Sequence, residues 1–329
     1  MEKVAVIGSN SFSGSHFVDF ILEETDAKVI GISRSLEKHP VFLPYKRWKT
    51  KRFKFYQMDI NKDLNHIIEL FDRERPDVIV NFAAQSEVGP SWKKPEQWFR
   101  TNCLGIVKLT YKLKDKKYIE KYVQISSPEV YGTCDRIKET NTYYDPSTPY
   151  AASKAAGDLF LFVLAKNFGF PLVMIRSTNV YGPHQQLFKI IPRSVIYIKS
   201  GRKIPLHGGG KAVKSFIYIR DVCDGIYRAI EKGKIGEIYH FSPPRGYSVR
   251  NIVETISKKM GVKFNEVTEV VSERLGQDAM YVIDSRKAKN GLGWRPTTPI
   301  DEGIDQIIEW VNSNWKVIAH QPLEYIHKP

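Results

Sequence analysis

Three observations predict an α/β fold built on a doubly wound parallel sheet. Short β-branched runs alternate with amphipathic helical stretches through the first half of the chain. The first run, Val4–Ile7, leads into a Gly- and Ser-rich turn and then a helical stretch. Successive runs are joined by helices, and a helical crossover is what a parallel neighbour needs.

The elements follow in order. A strand over Val4–Ile7, the turn Gly8 to Gly14 and a helix over His16–Glu24 form the first unit. Strands are predicted over Lys28–Ile32, Phe53–Gln57, Asp77–Val80, Tyr122–Ser126 and Leu172–Arg176. Helices are predicted over Leu64–Arg73, Glu96–Lys114 and from Pro149 to Asn167, the last opened by a proline suited to a first helical turn. After Gly182-Pro183 the pattern changes. The helical stretches Ile191–Lys199, Val222–Lys232, Val249–Met260 and Ile300–Asn314 alternate with shorter strands and more Gly/Pro loops. The expected layout is a nucleotide-binding domain over 1–180 and a smaller mixed α/β substrate domain over 181–329, with some later segments packing back on the first.

Composition narrows the function classes. The formal net charge is +14. Such a surplus suits an anionic small substrate, nucleic acid or a membrane surface, or is simply a solvated Lys-rich surface. The basic, aromatic-interleaved stretch Lys46 to Lys54 reads as a surface loop entering the strand at Phe53 rather than a nucleic-acid contact. Cys103, Cys134 and Cys223 show no CxxC spacing, so neither a disulfide framework nor a metal site is expected. No uncharged run approaches the ~20 residues of a membrane span, and a soluble cytoplasmic protein is expected.

The turn Gly8-Ser9-Asn10-Ser11-Phe12-Ser13-Gly14 has GxxGxxG spacing with Ser11 at the middle glycine. Glycines there let the backbone approach a pyrophosphate, and the following helix N-terminus offers free N–H groups. Its place between a strand and a helix reads as a Rossmann-type dinucleotide loop, with a plain β-α turn as the other reading. At the end of the second strand, where an acidic residue would hold the ribose 2′-hydroxyl of NAD, the chain has Ser33-Arg34-Ser35. A guanidinium beside small hydroxyls suits a 2′-phosphate, so NADP is expected over NAD. Stacking on adenine or exposure to solvent is the other reading of Arg34. Asp59, after the third strand, is placed to meet the adenine amino group.

Tyr150-Ala151-Ala152-Ser153-Lys154 sets a phenol and an ammonium one helical turn apart. A phenol titrates near 10, and a nearby ammonium and a cationic nicotinamide would lower it into use as a base. The preceding strand ends in Ser126-Ser127, whose hydroxyls can reach the same substrate oxygen.

These pieces resemble the extended short-chain dehydrogenase/reductase family over almost the whole chain. The shared pieces are the Gly8–Gly14 loop, Asn81-Phe82-Ala83-Ala84, Ser126-Ser127 with Tyr150 and Lys154, and Arg176-Ser177-Thr178-Asn179-Val180-Tyr181-Gly182-Pro183. Within that family, several segments look like the nucleotide-sugar 4,6-dehydratases. They are Ser127-Pro128-Glu129-Val130-Tyr131-Gly132, Lys214 to Asp221, Arg274-Leu275-Gly276-Gln277-Asp278 and Leu292-Gly293-Trp294-Arg295-Pro296. The Ser33–Ser35 region is more similar to the NADP-using GDP-mannose enzymes than to the NAD-using dTDP-glucose enzymes.

The resemblance implies that Ala83 and Ala84 line the dinucleotide, with further contacts expected from Ile60, Ser86, Asn102 and Ser126. It implies a nucleotide-diphosphate sugar held by Asn179, with Ser86, Arg193, Lys214 and Arg274 as candidates for its sugar and diphosphate. The three cations could equally be solvated surface charge. Tyr150 would oxidise C4, Glu129 would take the C5 proton, and water would leave from C6. Pro128 stands where relatives carry an acid for the departing hydroxyl, so 4-epimerisation, 5,6-dehydration and decarboxylation of a UDP-glucuronate remain alternatives. A non-catalytic dinucleotide- or nucleic-acid-binding protein is a remote one. The helices Glu96–Lys114 and Pro149–Asn167 are expected to pair in a homodimer through a four-helix bundle.

Overall fold

The computed structural model describes residues 1–273 and 280–328. Seven strands make one sheet: β1 (Lys3–Ile7), β2 (Lys28–Ser33), β3 (Phe53–Gln57), β4 (Val78–Asn81), β5 (Lys121–Ile125), β6 (Leu172–Ser177) and β7 (Ile238–Phe241). Their spatial order is β7-β6-β5-β4-β1-β2-β3, every pair parallel. The chain starts in the middle of the sheet and winds outward both ways. The reversal beside β1 opens the crevice in which such sheets bind ligands.

The central strands are buried on both faces, which is why they read as continuous apolar runs. Val4 and Val6 join one core, and Ala5 and Ile7 the other, as the two-residue period of a strand requires. The first core holds α1 (Phe12–Glu24) through Phe17 and Ile21. The second holds α2 (Leu64–Glu74), α3 (Ile106–Leu113) and α4 (Pro149–Phe168) through Ile67, Leu109 and Leu161.

The expected helix over Glu96–Lys114 is present but not uniform. An α-helical turn, Pro95–Phe99, runs into a π-helical stretch, Arg100–Gly105, before α3 begins. The π stretch lies hard against α4, where a Cβ on Gly157 would sit 2.3 Å from the Asn102 carbonyl oxygen. Only glycine allows that approach.

The second half of the chain contributes to both layers. β7 pairs with β6 at the far edge of the main sheet, and α5 (Ile219–Lys232) packs into the core beside α1. The remaining strands are short. Val213–Lys214 lies between Tyr247–Ser248 and Met280–Ile283, and Asn179–Tyr181 pairs with Phe216–Tyr218.

The basic stretch after Tyr45 folds back on α1. Arg47 pairs with Asp19 at 2.8 Å and Glu23 at 3.1 Å, and Arg52 donates to the carbonyls of Leu22 and Thr25 at the end of that helix. Among the described residues, no helix is long and apolar enough to cross a membrane.

Candidate active site

β1 ends at Ile7 and the chain turns through Gly8, whose φ is +86°. A Cβ at Gly8 would lie 2.8 Å from the Ala83 amide nitrogen, and one at Gly14 would lie 2.3 Å from the Gly8 carbonyl oxygen. Both positions therefore need glycine. Ser11 does not: its backbone is extended, and its hydroxyl accepts from the Gly14 N–H at 3.0 Å as the N-cap of α1. This explains how serine stands at the middle position of the loop.

A groove opens over this loop. Gly8, Asn10, Ser11, Arg34 and Ser35 line it from the ends of β1 and β2; Asp59 and Ile60 line it after β3, and Ala83, Ala84 and Ser86 after β4. The close backbone approach, the capped helix N-terminus and the small residues of the floor fit a dinucleotide pyrophosphate.

Several expected dinucleotide contacts have structural duties as well. Phe12 is buried in the core, and Ser13 and Gly14 form the first turn of α1. The Asn10 side chain donates to the carbonyls of Ser35 and Leu36 and accepts from the Tyr45 hydroxyl, fixing the loop after β2. Asn102 is buried, exchanging hydrogen bonds with the Gln85 backbone at 2.9 Å and donating to Ser153, so it shapes the loop after β4 from behind. Ser126 donates to Asp158 at 2.5 Å, away from the groove.

The catalytic candidates meet at the carboxyl edge of β5. Thr148 caps α4 and Pro149 begins it, which sets Tyr150 and Lys154 in its first turns. Ser127 caps the short 3₁₀ turn Pro128–Tyr131 and accepts from the Glu129 N–H at 3.2 Å. It also lies close enough to the Tyr150 phenol to favour the phenolate.

The Tyr150 environment corrects one expectation. Burial pushes the phenol well above its ordinary range, and Glu129 and Glu87 push it further. The Lys154 ammonium donates to the Ile125 carbonyl at 2.8 Å. Burial lowers Lys154 to about 8, with Asp158 acting against the shift and Arg176 with it.

On the substrate side, Asn179 donates to the Ser215 carbonyl and accepts from the Tyr281 hydroxyl at 2.7 Å. The Lys214 ammonium lies 5.3 Å from the Tyr281 ring centre, so these three residues form one cluster. The Arg193 guanidinium lies over the Tyr197 ring. Arg274 lies outside the described residues.

A family model described as GDP-mannose 4,6 dehydratase matches residues 6–307. The chain belongs to this family. It is 32% identical over 96% of its length to a human dTDP-D-glucose 4,6-dehydratase, covering 92% of that protein. It is 29% identical to an Escherichia coli dTDP-glucose 4,6-dehydratase, with 95% and 94% of the two chains aligned. Among solved structures, a dTDP-glucose 4,6-dehydratase from Streptomyces venezuelae with NAD bound superposes with a TM-score of 0.87 at 29% identity, covering 95% of this chain and 98% of that one. A Bacillus cereus UDP-glucuronic acid 4-epimerase, solved with UDP-glucuronic acid and NAD, gives 0.86 at 26%, covering 94% and 99%.

Placing this dehydratase-family chain in space reveals contacts that the sequence does not show. Glu87, which lines the groove, pairs with Lys189 at 2.8 Å and ties the loop after β4 to the second half of the chain. Gln85 is buried at the groove wall, and Lys38 lines its outer end. Asp158 and Arg176 form a buried pair behind Lys154. Arg176 belongs to the segment that carried the family resemblance, but nothing in the sequence pointed to its partner. His184 and His207 hydrogen-bond the carbonyls of Val41 and Ser272, which accounts for both as structural residues.

Proposed function

We propose that this protein is a nucleotide-sugar 4,6-dehydratase that converts a nucleotide-diphosphate hexose to its 4-keto-6-deoxy form. The observation that carries the reading is the meeting of Tyr150, Ser127 and Glu129: a phenol, a hydroxyl that favours its ionised form, and a carboxylate near enough to oppose it. Held in the groove, the dinucleotide supplies a hydride acceptor, later a hydride donor, and when oxidised a positive charge that opposes the carboxylates around Tyr150. Tyr150 takes the O4 proton as the C4 hydride leaves. The new C4 ketone acidifies the C5 proton, which Glu129 removes. Glu129 passes that proton to the C6 hydroxyl, which departs as water. Hydride then returns to C6, C5 takes a proton from solvent through Glu129, and Tyr150 releases its own. The balance is loss of one water with no external oxidant.

Pro128 fits this division of labour. It is buried at the first position of the 3₁₀ turn, where its fixed φ pre-sets the backbone that presents Glu129. It has no proton to give, so Glu129 serves as both base and acid.

NADP is the proposed cofactor. Ser33, Arg34, Ser35 and Lys38 line the groove at the end of β2, and none is acidic. The bound NAD is a property of the solved relatives. We assign residues 181–321, apart from β7 and α5, to the sugar nucleotide, with Asn179 and Lys214 at its edge and Arg193 and Arg274 as diphosphate ligands. We place the protein in the cytoplasm, since all three cysteines are free. We also propose a homodimer through α3 and α4. Leu104, Tyr111, Leu159, Val163 and Phe168, on those two helices and the π stretch before them, are each about half exposed.

The test is incubation with GDP-, dTDP- and UDP-hexoses followed by mass spectrometry. The reading expects loss of one water from one of them, abolished by Tyr150→Phe. A product of unchanged mass and altered stereochemistry would replace it with the epimerase reading.

A further inference from the structure

The segment 322–328 returns to the end of β2. The Lys328 carbonyl accepts from Arg34 at 3.0 Å and from the Gln85 side chain at 2.8 Å, and its ammonium lies 3.4 Å from the Ser35 hydroxyl. Arg34 follows β2 and Gln85 follows β4, so one carbonyl ties together the two walls of the groove. The next anchors are aromatic. His327 stacks on Trp98 with the rings 5.3 Å apart and 6° from parallel, and it hydrogen-bonds Gln97 at 2.5 Å. Trp98 is fully buried. Tyr325 sets its ring edge-on to Phe188 at 5.5 Å and its hydroxyl 3.1 Å from His327. Tyr325, Ile326 and Lys328 all line the groove.

The charges at this point are uneven. Lys38 and Lys328 line the same end of the groove as Arg34. Neither ammonium has a carboxylate partner among the described residues. Although much of the Lys38 stem is exposed, its ammonium is crowded: burial, then Lys328, lowers its pKa. Converging cations are stabilised by an anion with several acceptor oxygens, and the end of the second strand is where the ribose 2′-position of a dinucleotide lies.

We propose that residues 322–328 are a working part of the dinucleotide site: they strap its adenosine end closed, and Lys328 joins Arg34 and Lys38 in selecting a dinucleotide that carries a 2′-phosphate. The selection rests on the NADP reading; the strap does not. Binding exchanges repulsion between Lys38 and Lys328 for attraction to a shared dianion. Release of the dinucleotide then requires the segment to lift from Trp98 and Gln85.

The experiment measures affinity and dissociation rate for NADPH and NADH in the intact protein, in Lys328→Glu and in a variant ending at residue 321. Lys328→Glu is expected to weaken NADPH about tenfold or more, ~1.4 kcal/mol, while NADH stays within about twofold. The truncated protein is expected to release both dinucleotides faster. Equal weakening of both by Lys328→Glu, or no change in either, overturns the selection. Unchanged or slower release from the truncated protein overturns the strap. An intact protein that prefers NADH overturns the NADP reading and the selection with it, while the truncation still decides the strap.

Discussion

Asp158 meets the Arg176 guanidinium at 2.8 Å, one helical turn beyond Lys154, with both side chains buried. Ser126 donates to the same carboxylate oxygen, and Arg176 lies between the rings of Tyr131 and Tyr144 at 4.7 and 4.8 Å. The pair forms the electrostatic floor beneath Lys154, because Asp158 raises the pKa of that lysine while Arg176 lowers it. Removing one partner leaves a buried charge uncompensated. Asp158→Asn is therefore expected to cost about 3–5 kcal/mol in chemical denaturation. It should also take Lys154 below its value of about 8.

The same lysine sets a pH dependence of stability. Burial lowers Lys154 from 10.5 to about 8 in the folded protein. Between those values the unfolded chain binds more protons, so this group makes stability rise with pH across that window. Below about pH 8 both states are protonated, and the cost of the buried charge is present in full. Denaturation curves from pH 7 to 10.5 should show the rise in the wild-type protein. Lys154→Met should flatten it.

The strands of the main sheet were legible because burial on both faces leaves runs such as Val78–Val80 without a polar interruption. Its helices were legible from their caps and apolar spacing, as at Thr148-Pro149. The neighbourhood of Ser127, Glu129 and Tyr150 was legible because the end of β5 and the start of α4, which carry them, both read from the sequence. Other features depend on tertiary contact. The π stretch at Arg100–Gly105 is a change of hydrogen-bond register imposed where Asn102 packs on Gly157. Asp158 looks like one more charge on a long helix until Arg176 arrives from β6. The upward push on Tyr150 comes from burial, which no local pattern reports.

Glu129→Gln separates the two halves of the proposed reaction. Oxidation at C4 needs Tyr150 and should persist, seen as reduced dinucleotide in a single turnover. Elimination needs the carboxylate and should fall by about 10²–10⁴-fold. The variant also removes a negative charge that raises the Tyr150 pKa. The rising limb of the pH profile for C4 oxidation should thus move to lower pH. Wild-type rates of water loss would remove Glu129 from the mechanism.

Gly14→Ala tests the loop. The added Cβ would stand 2.3 Å from the Gly8 carbonyl oxygen, a backbone atom with no freedom to swing aside. The turn must open and α1 must shift from β1. Overpacking of this kind costs about 1–3 kcal/mol. Dinucleotide affinity, read by fluorescence titration, should fall further than stability does, because the displaced backbone is the surface proposed to receive the pyrophosphate.

Leu159→Glu combined with Val163→Glu tests the dimer. The two side chains lie one turn apart on α4 and are 55% and 52% exposed, so the changes should leave the protomer fold nearly intact. In a dimer built on α3 and α4 they would bury four unpaired carboxylates across the two-fold axis, far more than a standard interface tolerates. Light scattering should show a dimer for the wild-type protein and a monomer for the double variant. A monomeric wild-type protein would overturn the proposed bundle, and the exposed leucine and valine would then need another partner.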